Sequence, residues 1–230
     1  MSAETLLYTP LFYFILLYSA IFHECAHAIS AYKLGDPTAY LAGRITLNPI
    51  KHVDLVNTLI MPLVTYFIFG IPFGGAKPVP INPYNFQNAN KGMMISSIAG
   101  PLTNFTLAIL GFLGFLLAVK TLPLKGFALH VNITFFFAII AINILLGVFN
   151  LIPIPPLDGS RVLRYFLPWH MKETLDRIEP FGIMIVFAFI FMGGTVFLGK
   201  ILYGIILLLI KIDPAHTEEI IEVAIKLLGR

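Results

Sequence analysis

His23, Glu24 and His27 stand together in the stretch FHECAHA, residues 22–28. Histidines four positions apart project from one face of a helix, and two imidazoles so placed can reach a single Zn²⁺ at ~2.0–2.1 Å. A glutamate beside the first histidine can take a proton from water that the metal acidifies. His-Glu-x-x-His on a helix therefore implies zinc-dependent hydrolysis, with His23 and His27 as metal ligands and Glu24 as the acid/base. The motif closes an unbroken apolar run, Leu6–Phe22. Ionisable groups in such a run are costly to bury and are as a rule functional. A bound cation offsets the burial of Glu24 and keeps both imidazoles neutral.

Zinc catalysis needs a third protein ligand and one open position. Beyond the motif the chain offers His52, His130, His170 and His216, and the carboxylates Asp36, Asp54 and Asp158 near helix ends. Asp158 stands out. In NLIPIPPLDG it follows an apolar run and a proline break, which admits irregular backbone at membrane depth beside a cavity. Its competing role is N-cap to a helix over Ser160–Leu167. His52 and Asp54, in NPIKHVD, read as surface-loop residues. The single cysteine, Cys25, excludes an internal disulfide framework and a cysteine metal site, and reads as a small packing residue.

The elements that must position these groups lie in a membrane. Of 230 residues 58% are hydrophobic and 12% charged, with a mean hydropathy of +0.88; a soluble domain carries roughly 25% charged residues. Apolar runs recur at 6–22, 55–73, 95–119, 131–154 and 181–210, each near the ~20 residues that span a bilayer core as a helix. The pattern predicts an all-α polytopic membrane protein of about five or six membrane helices. It forms a single domain over 1–230, with a catalytic core at 5–168, a further helix or helices at 181–212, and a short amphipathic tail helix at 214–230. No segment alternates as a membrane β-barrel would. The first run lacks a basic cluster and a small-residue cleavage site, so it reads as a retained helix. The net charge of +3 is scattered, without the basic tract that nucleic acid requires. Nothing in the sequence sets an oligomeric state.

Residues 5–32 read as one helix, stopped by Gly35-Asp36-Pro37. The stretch TAYLAGRITLNP predicts a small β-hairpin or extended edge over Thr38–Leu47. Residues 76–90 are studded with prolines and extended. Helices follow at 93–119 and 127–151, then amphipathic pieces at 162–167 and 171–178. The tail helix is expected at the membrane interface, with Ile220, Ile221, Ala224, Leu227 and Leu228 on one side. Asn104, Thr106 and Asn143 read as interhelical hydrogen-bonding residues.

Two ligand-bearing helices that meet at one depth must run parallel. With runs 55–73, 93–119 and 127–151 between His27 and Asp158, one run must not cross, and 55–73, broken by Pro62, is the expected re-entrant segment. Lys33, Arg44, Lys51, Lys77, Lys91, Arg161 and Arg164 then share the catalytic end, against Lys120 and Lys125 in the opposite loop. The positive-inside tendency puts the catalytic end toward the cytoplasm.

The HECAH helix, the later GPLTN helix, and an asparagine eight residues before the aspartate of LDG resemble, in that order, the site-2 protease family of intramembrane zinc metalloproteases. LAGRITLNPIKHVD and GAKPVPINPYNF are similar to its compact prokaryotic branch, without a PDZ or nucleotide-sensing domain. The resemblance covers about residues 5–168. It implies one Zn²⁺ per chain held by His23, His27 and Asp158, with Glu24 as acid/base and Asn150 binding substrate or the oxyanion. It also implies cleavage of a transmembrane protein substrate within the lipid bilayer of a prokaryotic cell membrane. Thr38–Leu47 would hold the unwound substrate as an added strand. The alternative class is a divalent-cation transporter using the same ligands. Access to the site would be gated by 55–90, or by a hinge at Gly193-Gly194.

Overall fold

The computed structural model describes residues 3–60, 64, 67, 75–122 and 125–227. The first helix, α1 (Ala3–Lys33), carries the HECAH motif in its last third. It ends where Gly35 takes φ 103°. The Gly35 N–H donates to Tyr32 O and that of Asp36 to Ala31 O, the pair of bonds that closes a helix on a left-handed glycine.

The expected hairpin at Thr38–Leu47 is absent, and no strand occurs among the described residues. Thr38–Leu41 forms a helical turn, α2. Its opening is fixed by Asp36, whose carboxylate accepts from the Thr38 N–H, and its close by Gly43 at φ 64°. The Arg44 N–H then donates to Ala39 O and that of Gly43 to Tyr40 O. Two glycine caps of the same kind, eight residues apart, override the β-prone composition of the stretch. The added-strand role assigned to it has no strand to rest on.

Beyond a π-helical turn at Leu55–Ile60, most of the 55–73 run lies outside the described residues. Long helices α3 (Ala89–Thr121) and α4 (Gly126–Asn150) follow, then α5 (Asp158–Phe166) and α6 (Trp169–Ile178). A kinked apolar rod comprises α7 (Gly182–Phe189), a π-helical turn at Ile190–Gly194 broken at Gly193, and α8 (Thr195–Ile212). The chain closes with α9 (Thr217–Leu227). Among the described residues four helical stretches are long and apolar enough to cross a membrane: Pro10–Lys33, Ala89–Thr121, Gly126–Asn150 and Trp169–Ile212. The 55–73 run, expected as a further membrane segment, lies mostly outside the described residues, and the last stretch is kinked at Gly193, which takes a non-helical φ of 119°.

Register fixes the directions of the central three. Along α1 from His27 to Ser19, the partners on α3 run from Ser96 to Asn104, so α1 and α3 are antiparallel. Gly147 meets Phe105 while Gly111 meets Ile139 and Ile140, so α3 and α4 are antiparallel too. Hence α1 and α4 run parallel and finish at one end, as the ligand positions required. Leu34, just after α1, and Asn88, just before α3, therefore stand at that same end. Small residues allow this closeness: Ser19, Ala28, Ala31, Ser96, Ser97 and Ala108 are all buried, and close backbone approach is the main source of helix association in lipid.

At the far end, Phe115, Ile133 and Phe137 pack with Ile205 and Leu209 of α8 and with Ile220, Val223 and Ala224 of α9. The tail helix therefore docks on the bundle rather than lying free at the interface. Its buried stripe follows the i, i+3, i+4 spacing, which places Val223 inside and leaves Ile221 40% exposed.

Candidate metal centre

His23 and His27 lie one turn apart on α1, with their rings at 88° and centroids 4.5 Å apart. Their Nε2 atoms stand 3.0 Å from each other. Asp158 Oδ2, at the start of α5, lies 3.1 Å from the first and 3.2 Å from the second. All three residues are at least nine-tenths buried. Asp158 is not a helix cap: Leu157 holds the cap position, and the carboxylate faces the imidazoles. Gly159 lets α5 start there, since a Cβ at that position would collide with the carbonyls of Leu151 and Ile152.

The outer nitrogen of each ring decides what the inner one can do. His27 Nδ1 lies 2.7 Å from the backbone carbonyl of Ser96, which can only accept. His23 Nδ1 lies 2.6 Å from Asn104 Oδ1. Asn104 is oriented by its amide nitrogen, which donates to Asn143 Oδ1 at 2.9 Å, and Asn143 in turn donates to Ser19 Oγ at 2.9 Å. Both Nδ1 atoms thus carry hydrogen, and in neutral rings both Nε2 atoms present lone pairs. Two nitrogen lone pairs and a carboxylate oxygen face one another at about 3 Å. A proton on one ring would join two of the three; a divalent cation joins all three. Ligands bound tetrahedrally at ~2.0–2.1 Å stand ~3.3 Å apart, and two imidazoles with one carboxylate suit zinc. The residues present fit the ion. Among the described residues this is the one group of His, Cys, Asp and Glu side chains that could hold a metal.

Gly100 of α3 sits directly over the centre. A Cβ there would come within 2.5 Å of His27 Nε2 and 2.6 Å of His23 Cε1. Neither Gly100 nor the orienting role of Asn104 followed from the sequence. Asn104 and Asn143 read as interhelical hydrogen-bonding residues, and they are; the register that aims the chain at His23 is set by tertiary packing. Such bonds contribute only about 0.6 kcal/mol on average in membrane bundles, so their weight here is orientation of the histidine rather than stability.

Glu24 is half-buried beside the ligands, and its Oε2 accepts the Val79 N–H at 2.8 Å. Asn150, at the last turn of α4, donates to Leu146 O of its own helix at 3.0 Å. His52 is not a surface residue: it is fully buried, and its Nε2 donates to Thr46 O at 2.8 Å. The same carbonyl receives the Cys25 thiol at 3.0 Å.

An all-helical membrane fold with a buried His-His-Asp triad and an adjacent glutamate defines the class of membrane metallopeptidases. Comparison with known proteins places the chain within it. The model of peptidase family M50 matches residues 119–193, which include Asp158. Over 184 residues the chain is 39% identical to the Bacillus subtilis protein named "Putative zinc metalloprotease YwhC", covering 79% of this chain and 80% of that one. Named in the same terms are Rip2 of Mycolicibacterium smegmatis, 31% identical over 74% of this chain, and MJ0611 of Methanocaldococcus jannaschii, 32% identical over 63%. The chain spans 62% and 64% of those two proteins. No solved structure matches it. The chain belongs to peptidase family M50, the site-2 proteases.

Proposed function

We propose that this protein is an intramembrane zinc endopeptidase, cutting a peptide bond within or near a transmembrane segment of another membrane protein. One Zn²⁺ per chain is held by His23 Nε2, His27 Nε2 and Asp158. The observation that carries the reading is the set of three buried acceptor atoms turned on one another at 3.0–3.2 Å. When bound, zinc supplies Lewis acidity, polarising the substrate carbonyl and making water nucleophilic near neutral pH. Glu24 Oε1 takes the proton of the attacking water and returns it to the departing amine, while Oε2 is kept by the Val79 N–H. Asn104 and Ser96 hold the two imidazoles in the tautomer that ligation needs. Asn150, at the same end of the bundle, is placed to bind the unwound substrate or its oxyanion once its side chain turns from Leu146 O.

Burial of the triad among apolar helices supports a substrate that is itself a membrane segment. The end bearing Lys33, Arg44, Lys51, Lys77, Lys91 and Arg161 is richer in cations than the far end with Lys120, Lys125 and Lys211. That bias favours a catalytic end on the cytoplasmic side of a prokaryotic cell membrane. In liposomes holding a transmembrane reporter, Glu24→Gln should keep stoichiometric zinc and cut at least 100-fold more slowly. Wild-type-like cleavage by Glu24→Gln would overturn the reading, and zinc flux without cleavage by the wild type would favour transport.

A further inference from the structure

The extended segment 75–82 has no regular secondary structure, yet it is held at both ends, by Thr58 Oγ1 donating to Gly75 O and the Asn82 N–H donating to Asp36, and again at 77–79. The Lys77 N–H donates to His52 O at 2.8 Å. The Arg44 guanidinium donates through Nη2 to Lys77 O and through Nη1, at 3.2 Å, to Pro78 O. The Val79 N–H then reaches Glu24 Oε2. Pro78 and Pro80 flank Val79. Neither has an N–H, and each biases the residue before it to extended backbone. Lys77-Pro78-Val79-Pro80 therefore offers two backbone donors, one taken by His52 and the other aimed at the catalytic glutamate.

Arg44 is itself held from behind. It is buried, with 6% of its surface exposed, and its Nη2 stands 3.5 Å from His52 Nδ1. His52 donates from its other nitrogen to Thr46 O, the carbonyl that also receives Cys25, the neighbour of Glu24 on α1. The contacts form a closed ring. From α1 they pass through Thr46, His52 and Arg44 to the 77–79 backbone, and from Val79 back to α1. A buried guanidinium is costly to desolvate, and here it serves two adjacent backbone carbonyls of an extended segment. Both carbonyls lie just before the one donor that Glu24 uses, and that of Pro78 shares its peptide unit.

We propose that Arg44 is a positioning residue for peptide hydrolysis: by clamping the Lys77 and Pro78 carbonyls it sets the Val79 N–H, and that N–H fixes the Glu24 carboxylate for proton transfer. The inference rests on the reading of Glu24 as the acid/base. It assigns no substrate contact and no metal contact to Arg44, so its loss should act on turnover alone. A displacement of a catalytic group by about 1 Å can cost on the order of 100-fold in rate.

The test uses the full chain in liposomes with a transmembrane reporter, reading kcat, KM, zinc content and thermal midpoint together. Arg44→Ala should lower kcat by about 10- to 100-fold with KM and zinc within twofold of wild type. Arg44→Lys, with one ammonium for two carbonyls, should fall between the two. Replacing the Pro78–Val79 amide by an ester, which deletes the Val79 N–H and weakens the Pro78 carbonyl as an acceptor for Arg44, should reproduce the Arg44→Ala loss without lowering the thermal midpoint. If Glu24→Gln is inactive while Arg44→Ala and the ester keep wild-type kcat, this inference alone is wrong. An ester that raises kcat would overturn it in favour of a shielding role for the segment. Parallel loss of zinc or of the thermal midpoint in both the arginine variants and the ester would reduce Arg44 to scaffold. Cleavage by Glu24→Gln would remove the underlying reading instead.

Discussion

Asn104 Oδ1 lies 2.6 Å from His23 Nδ1, across the interface between α3 and α1. The bond assigns hydrogen to Nδ1 and leaves the Nε2 lone pair directed at Asp158 and His27. Loss of such an outer partner typically costs 10- to 100-fold in metal affinity. Asn104→Ala should therefore weaken zinc binding by about that factor, measured by competition with a chelator of known affinity. Unchanged affinity would mean that helix packing alone orients His23.

Gly100 makes a sharper case, because the centre has no room for a Cβ above it. Gly100→Ala should displace α3 or the two imidazoles and strip most of the zinc, with helix content by circular dichroism preserved. Gly111→Ala, set against Ile139 and Ile140 away from the metal, is the control. It should disturb packing and leave zinc in place. Equal zinc loss in both variants would contradict a specific role for Gly100.

Asp36 organises the loop after α1. It is fully buried and accepts from Asn82 N and Asn85 Nδ2 at 2.7 Å each, and from Thr38 Oγ1 at 2.5 Å. Burial works against its charge, but the hydrogen bonds from Thr38, Asn85 and Asn82 outweigh that and hold its carboxyl below the ordinary range. A carboxyl depressed on folding contributes its stabilisation in full above the unfolded value of ~3.9 and loses it as pH falls through the lower folded value. The thermal midpoint of the wild type minus that of Asp36→Asn should hold steady at neutral pH and shrink below about pH 4. At neutral pH the substitution should cost on the order of 2 kcal/mol, the scale of hydrogen bonds to a charged group. A pH-independent difference would assign the effect to shape alone.

Gly193 takes φ 119° inside the rod from α7 to α8, and nothing lies within 4 Å of where its Cβ would be. Its neighbour Gly194 is crowded by Phe189. The pair thus splits into one glycine needed for backbone conformation and one needed for packing. Gly193→Ala strains a left-handed backbone by about 1–2 kcal/mol. It should lower the thermal midpoint or straighten the rod, and change the cleavage rate several-fold at constant zinc content. No change in rate or midpoint would show that the kink is dispensable.

His23 and His27 are legible in the sequence because helical periodicity alone puts them on one face, and Glu24 because it adjoins the first of them. Asp158 is legible because a proline break beside an apolar run leaves a carboxylate with few other uses. Their parallel helices follow from depth and parity, which need no knowledge of packing. Gly100 and Asn104 are not legible as parts of the centre, since their approach depends on the register of α1 against α3, set by small side chains scattered over both. Thr38–Leu47 misleads for a related reason. Its composition favours a strand, but the turn that Asp36 closes on the Thr38 N–H before it and Gly43 within it dictate a helical turn. Arg44 and His52 look like loop polar residues until the fold buries them.

Zinc X-ray absorption on the purified protein, with metal content measured on the same samples, tests the central claim most directly. The wild type should bind ~1 zinc per chain in a nitrogen- and oxygen-ligated environment with two imidazoles at ~2.0–2.1 Å. Asp158→Ala should lose most of that zinc, while His52→Ala and Asp54→Ala should keep it with an unchanged spectrum. Full occupancy and an unaltered spectrum in Asp158→Ala, or zinc loss in His52→Ala or Asp54→Ala alone, would contradict the account.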